Sequence, residues 1–552
     1  MNLAPPPARP MALVPALPYW AAGLGVACVA LAEAFRAPAA RLVDSFDDDA
    51  YYYFEVARSL VSGQGSSFDG LLATNGYHPL WLLALLPVFA LAAGKLPALL
   101  AVKCLGAALF AATVALFYVF GRRLGREIEL ACALPILVFC RDLWLSGMET
   151  ALLLPLLVLA AGESVSAGVF TRPDSRLGLT AAALAAALLA RLDLVFFVAL
   201  VSVAGGSLPP GLAFRQRLER IARLAWPASA ALLLYMALNL VVFGTASPVS
   251  GQAKSLGGPF WNDQVFVGYL QARPVLGPLF DRLPVAALWL VFLLPALGLG
   301  IYAVRRRAPE VWRGATILLG LLLAANLLQL LYYAVFSSWP LWRWYHYYLP
   351  ISLALSIAML AGLALARLPA TLRGRLAIGL PFLIAAGLAA KLGASFLHQQ
   401  KLSPADDANY KIQARAAAER LNRELPPDAV LAMGDRAGAF GYFLDRPLVQ
   451  VEGLVASPEF LEALAAGEVH PLLERLSVDY VVYSGGPKSG GDPQEALESP
   501  GCATFTEPKW GSGPKYRTEV CEADLVYRQK LAHPGAMGGT TSVWRYRTEL
   551  NP

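Results

Sequence analysis

Apolar runs long enough to span a lipid bilayer recur from residue 11 to about residue 396 of this chain, and none follows. A spanning helix needs roughly 20 mostly apolar residues. In hydrocarbon, only a helix or a closed barrel satisfies its own backbone. Charged residues make up 15% of the chain, against about a quarter in soluble domains. The pattern predicts a polytopic α-helical membrane module over residues 1–397, followed by a soluble tail over 398–552. The first apolar run, 11–35, is longer than a signal-peptide core and lacks a small-residue cleavage site, so it reads as the first spanning helix.

Basic clusters set the expected orientation, because cytoplasmic loops collect Lys and Arg. These clusters are RRLGR (122–126), Arg172 with Arg176, RQRLERIAR (215–223), RRR (305–307) and RLPATLRGR (367–375). All fall on one side if the chain crosses eleven times, at about 12–34, 97–120, 129–146, 149–169, 177–190, 193–206, 225–243, 284–304, 313–336, 349–366 and 376–396. That layout requires 78–94, which is short and holds Pro79 and Pro87, to be re-entrant or interfacial. The N-terminus is then cytoplasmic and the tail external. The net charge of +6 resides mostly in the short loops and calls for no nucleic-acid partner.

The same layout gathers the unusual polar stretches at the outer face. The first external loop, 36–96, opens with DSFDDDAYYYFEV (44–56) and closes with TNGYHPLW (74–81). An aspartate or two would cap the helix that follows. Asp47, Asp48 and Asp49 in succession exceed that need, since like charges so close repel. A catalytic duty or a metal ion would account for the surplus. Asn75, Tyr77 and His78 add hydrogen-bonding groups, and His78 is suited to binding phosphate or moving a proton. Glu149 begins a helix in SGMET, and Arg191 lies two residues from Asp193. Such charges at membrane depth pair with one another or serve a site. Lys254 in FGTASPVSGQAK and Arg343 and His346 in WRWYHYY supply cations and aromatic surface, either as a phosphate clamp or as an interfacial belt.

Other chemistries find little footing. The chain has no Walker loop, HExxH, GxSxG or CxxC motif, and only five histidines, which argues against ATP hydrolysis, zinc proteolysis and redox chemistry. Cys28, Cys104, Cys132 and Cys140 fall in apolar helices, whereas Cys502 and Cys521 are alone in the tail and can pair if it lies in an oxidising compartment.

The stretches DDAYYYFEVARSLVSGQG, TNGYHPLW, GMETALLL, ARLDL and FGTASPVSGQAK together resemble, in order and spacing, the GT-C superfamily of membrane glycosyltransferases. The arabinofuranosyltransferase-like branch is the nearest in pattern and the protein O-mannosyltransferases are more distant. The resemblance implies an inverting transfer of a sugar, arabinofuranosyl or mannosyl among the candidates, from a polyprenyl-phosphate donor to an acceptor hydroxyl on a glycan, lipid or protein at the outer face. Abundant Ala, Leu, Arg and Gly point to a bacterial genome, and with the external tail of the arginine layout predict an inner-membrane protein with a periplasmic or extracellular tail. Carried over by position, Asp48 and Asp49 match the acidic pair that includes the catalytic base, with Asp48 the first choice. Asp47 is an additional member of that run, and Glu149 holds the place of a second acid. His78, Tyr77, Asn75, Arg191, Lys254, Arg343 and His346 would hold donor or phosphate. No cofactor is certain; a divalent cation, Mg or Mn, would sit on Asp48 and Glu149. A lipid-linked sugar transporter or flippase is the rival class, and would show repeats and charges at the bilayer midplane. In the tail, short β-like runs alternating with helical patterns predict a small α/β domain, and GDRAGAFGYF (434–443) a tight loop facing the membrane module.

Overall fold

A computed structural model describes residues 14–36, 39–271, 284–305, 309–401, 410–485, 502–530 and 540–547. Arg306, Arg307 and residues 406–409, at the start of the tail's polar stretch, lie outside the described residues. The chain is a polytopic helical membrane protein with a C-terminal domain built on a β-sheet. Seven described helices are long and apolar enough to cross a membrane: Val14–Ala32, Lys95–Leu124, Phe214–Phe243, Val285–Arg305, Glu310–Phe336, Arg343–Ala366 and Ala370–Leu397.

Four shorter apolar helices accompany them: Pro79–Leu91, Thr150–Ser166, Gly178–Ala190 and Leu192–Ser207. The helices Pro79–Leu91 and Gly178–Ala190 have 13 residues each and span about 20 Å at 1.5 Å per residue, too little for a hydrocarbon core of roughly 30 Å, so the expected crossing at 177–190 is no better supported by length than one at 78–94. The stretch expected to cross at 129–146 is instead three short helices, Glu127–Ala131, Leu134–Phe139 and Asp142–Leu145. Pro135 lies in the first turn of the middle one. Lacking an N–H and clashing with the preceding turn, it cannot continue a helix from residue 131.

Contacts tie together the basic loops around Arg126, Arg172 and Arg220 and the start of the helix Glu310–Phe336. Arg172 Nε donates to Glu310 at 2.6 Å, and Arg220 Nη2 donates to Ser175 at 2.9 Å. The Arg126 guanidinium lies over the Trp312 ring at 5.8 Å.

The C-terminal domain carries β1 (Val430–Met433), β2 (Leu448–Gln450), β3 (Val478–Gly485), β4 (Cys502–Glu507), β5 (Tyr516–Cys521), β6 (Leu525–Lys530) and β7 (Thr540–Arg545). Its five-stranded sheet runs in the order β2-β1-β3-β7-β6. The strands β1, β2 and β3 are parallel and joined through helices, while β7 runs antiparallel to β3 and β6. The separate hairpin β4-β5 sets Cys502 opposite Cys521, and the two are disulfide-bonded. Ser457 caps the helix Pro458–Ala466, its Oγ accepting the Phe460 N–H at 3.1 Å, with Pro458 at the first helical position where no N–H is needed.

A single hydrophobic cluster joins this domain to the segment between the first helix and Lys95–Leu124. Phe46, Tyr51, Phe54 and Trp81 from that segment pack with Leu421, Phe440, Tyr442 and Val543 from the domain. The tyrosines Tyr51, Tyr52 and Tyr53 are buried. An amphipathic ring tolerates burial, and here the docked domain removes the water.

Candidate active site

The helix Asp48–Val61 opens with two carboxylates, Asp48 and Asp49, in its first turn. Successive residues on a helix point roughly 100° apart, so its two first-turn carboxylates serve different surfaces. Asp49, Tyr52, Tyr53 and Val56 form one stripe at helical spacing, and all four line a cavity. That cavity is closed by Tyr77 and His78 from the end of the loop, Met148 and Glu149, Arg191, Ser250 and Lys254, Trp344 and Tyr345, and Leu454 and Val455 from the C-terminal domain. Five polar segments predicted to share one face, together with the tail, thus form one site.

Three of the four clustered aspartates are held by protein donors away from this cavity. Lys411 of the tail approaches Asp44 at 3.3 Å. Arg343 donates to Asp47 at 2.7 Å. Asp48, the first choice for catalytic base, accepts the backbone N–H groups of Gly438 and Ala439, each at 3.0 Å. Asp49 alone of the run lines the cavity. Burial pushes its carboxyl up to about 8, with Lys254 opposing that rise and Asp48, Asp47 and Glu149 adding to it.

Lys254 donates to the Tyr345 hydroxyl and faces Asp49. Burial alone would lower its pKa, but Tyr345 and Asp49 more than compensate and raise it, so the ammonium stays charged. Glu149 lines the cavity while pairing with the Arg191 guanidinium and accepting the Tyr53 hydroxyl at 3.2 Å. Arg191 also donates to Asp193 at 2.9 Å and lies over the Tyr345 ring at 4.5 Å. Asp193 is satisfied by Gln329 (2.7 Å), Tyr333 (2.9 Å) and Tyr347 (3.0 Å) as well. Arg191 therefore enters the wall already neutralised, and Lys254 is the cation offered to the cavity.

His78 Nδ1 accepts the Leu192 N–H at 3.3 Å, which leaves Nε2 to carry the proton of the neutral ring. Burial lowers its pKa to about 4, so at neutral pH it is a neutral hydrogen-bond donor. The remaining expected ligands lie elsewhere. Asn75 ties its loop to the helix Val249–Ser255, accepting the Val249 N–H at 2.9 Å and donating to Ser247. Arg343 is taken by Asp47, and His346 is buried against Tyr269 with ring centroids 5.0 Å apart. None of the three lines the cavity.

A divalent cation requires several converging oxygen ligands. Among the described residues no group of three or more His, Cys, Asp or Glu is placed to hold a metal. Asp48 and Glu149 are turned to protein donors as described, so this pair does not fit a metal site. Sequence reasoning missed Tyr53, Tyr345 and Trp344 as site residues. Tyr53 follows Asp49 by four residues, the spacing that puts two side chains on one helix face.

No protein-family model matches the chain, and no curated protein matches it. Among solved structures, ArnT from Cupriavidus metallidurans in the apo state aligns over 91% of this chain and 94% of its own, with 12% identity and a TM-score of 0.49. The apo oligosaccharyltransferase of Archaeoglobus fulgidus aligns over 84% of this chain and 69% of its own, with 11% identity and a TM-score of 0.46. The archaeal oligosaccharyltransferase AglB from the same organism, in complex with an inhibitory peptide and a dolichol-phosphate, aligns over 91% and 74%, with 12% identity and a TM-score of 0.45. These structures are what the chain is similar to.

Proposed function

We propose that the protein is an inverting glycosyltransferase that moves a sugar from a polyprenyl-phosphate donor to an acceptor hydroxyl at the outer face of a bacterial inner membrane. The observation that carries this reading is the pairing of one cavity-facing carboxylate, Asp49, with one cavity-facing ammonium, Lys254, at the mouth of a bundle of apolar helices. A lipid-borne phosphate ester reaches such a site from the bilayer, and a water-soluble acceptor reaches it from the domain side. The ordered motifs of the outer loops, which resemble the GT-C pattern, favour the same chemistry.

In this reading Asp49 takes the proton of the acceptor hydroxyl. The acceptor oxygen forms its bond to the anomeric carbon as the bond from that carbon to the phosphate oxygen breaks. The lipid phosphate leaves with the electron pair. Lys254 offsets the charge that grows on that oxygen, and the neutral His78 ring donates a hydrogen bond. Attack opposite the departing phosphate inverts the anomeric centre. Tyr52, Tyr53, Tyr77, Trp344 and Tyr345 give the cavity an aromatic lining, suited to the apolar face of a sugar ring. The sugar is a pentose or hexose of the arabinofuranosyl or mannosyl kind, and the acceptor belongs to the cell envelope.

The test is turnover by the full chain in lipid nanodiscs, supplied with a panel of polyprenyl-phosphate sugars, by assay of released polyprenyl phosphate. Release with one donor, accompanied by a product of inverted anomeric configuration, supports the reading. Donor carried across a sealed vesicle membrane without cleavage would replace it with a transporter.

A further inference from the structure

The contact between Asp48 and the C-terminal domain joins residues 390 apart in sequence. The N–H groups of Gly438 and Ala439, consecutive in the chain, both point at the Asp48 carboxylate. Residue 438 has no room for a side chain, since a Cβ there would overlap the Asp48 backbone carbonyl and stand 2.9 Å from its carboxyl carbon. The turn before it holds Arg436 at φ 67°, a left-handed conformation uncommon outside glycine. Nearby, Lys411 of the same domain donates to the carbonyls of Asp44 and Phe46. The same domain also places Leu454 and Val455 in the cavity wall. The segment entering the Asp48–Val61 helix is thus gripped from the domain side at three points, one residue before the side chain that faces the cavity.

We propose that the C-terminal domain is a positioning element of the active site, latching Asp48 through Gly438 and Ala439 so that the next residue, Asp49, is held toward the substrate cavity. This rests on the transferase reading for its catalytic consequence and on the geometry alone for the ordering of the loop. Asp48 makes no contact with the cavity, so its part is to hold the first helical turn, and its charge faces Lys411 and Asp435 on the domain and Asp49 on its own helix. Asp49 in turn faces Lys254 and Glu149 from other elements. A general base displaced by an ångström loses rate far more than binding, which separates a positioning latch from a binding surface.

The test uses the full chain in nanodiscs with Ala439→Pro and Gly438→Ala. The first removes one latch donor at a first-turn position, where the N–H makes no intrahelical bond. The second keeps both donors and fills the space against Asp48. Amide exchange by mass spectrometry reads the order of residues 44–53, while β1 and β3 report whether the domain stays folded. The latch predicts faster exchange at 44–53 in both variants. It also predicts a kcat lowered roughly 100-fold with the donor KM little changed. Exchange at 44–53 equal to wild type in Gly438→Ala would overturn the latch, whether or not Ala439→Pro folds. Faster exchange with undiminished kcat would overturn its positioning role. A wild type inert toward every donor counts against the transferase reading instead, and the exchange comparison still decides the latch.

Discussion

The Gly438 N–H donates to Oδ2 of Asp48 at 3.0 Å, across 390 residues of sequence. That bond assigns two adjacent carboxylates to different partners. Asp48 belongs to the domain interface and Asp49 to the cavity.

The pH dependence of turnover follows from that assignment. Asp49 must be ionised to accept a proton, and burial, reinforced by Asp48, holds it up to about 8. Thus kcat/KM should climb about tenfold per pH unit below that value and level off above it. Lys254 lowers the Asp49 pKa, so Lys254→Met should move the limb to higher pH. Asp48 raises it, so Asp48→Asn should move the limb to lower pH. A profile unmoved by both substitutions would mean that another group carries the proton.

The Arg191 cluster yields a stability prediction. Its guanidinium and the Glu149 carboxylate are each 2% exposed. Removing one partner of a buried ion pair typically costs about 3–5 kcal/mol, because the other is left uncompensated. Arg191→Ala should therefore sharply lower the thermal midpoint of the detergent-solubilised protein. Arg191→Lys should recover only part of it, since an ammonium lacks the fork that serves Glu149 and Asp193 together. A midpoint within a degree or so of wild type for Arg191→Ala would contradict the described cluster.

Much of this was legible in the residues, and the limits have identifiable causes. The apolar runs give the helical module directly, and the 13 residues of Pro79–Leu91 are plainly too few to cross. Apolar content is blind to Pro135, which carries no charge to interrupt the run yet divides the 129–146 stretch. The clustering of Asp49, His78, Glu149, Arg191 and Lys254 was readable because unusual polar residues sat in loops of one predicted face. The choice between Asp48 and Asp49 was not, because it depends on where a domain folded from residues after 409 docks. Asn75, Arg343 and His346 have suitable chemistry for phosphate, but neighbouring backbone groups, Asp47 and Tyr269 occupy them instead. Spacing alone does not reveal such partners.

Glu507 gives a second pH-linked expectation, in the C-terminal domain. Burial and the nearby Asp435 push its carboxyl up to about 8 from an ordinary 4.5, against the pull of Lys509. The folded domain then keeps a proton that the unfolded chain releases. Stability is fullest below the unfolded value and declines as pH rises from about 4.5 to about 8. Glu507→Gln, which keeps shape without the ionisation, should flatten that decline in thermal unfolding of the full chain. An unchanged slope would place the titration elsewhere.

The central claim is that Asp49 is the catalytic base, and the most direct measurement is donor turnover by Asp49→Asn beside Asp48→Asn and wild type. A positioned base contributes typically 10² to 10⁴-fold. The account predicts a loss of about that size for Asp49→Asn on the plateau above about pH 8, narrowing as pH falls and the wild-type base takes up its proton, with donor binding retained. It predicts residual, pH-shifted turnover for Asp48→Asn. An Asp49→Asn protein that turns over donor at the wild-type rate would contradict it.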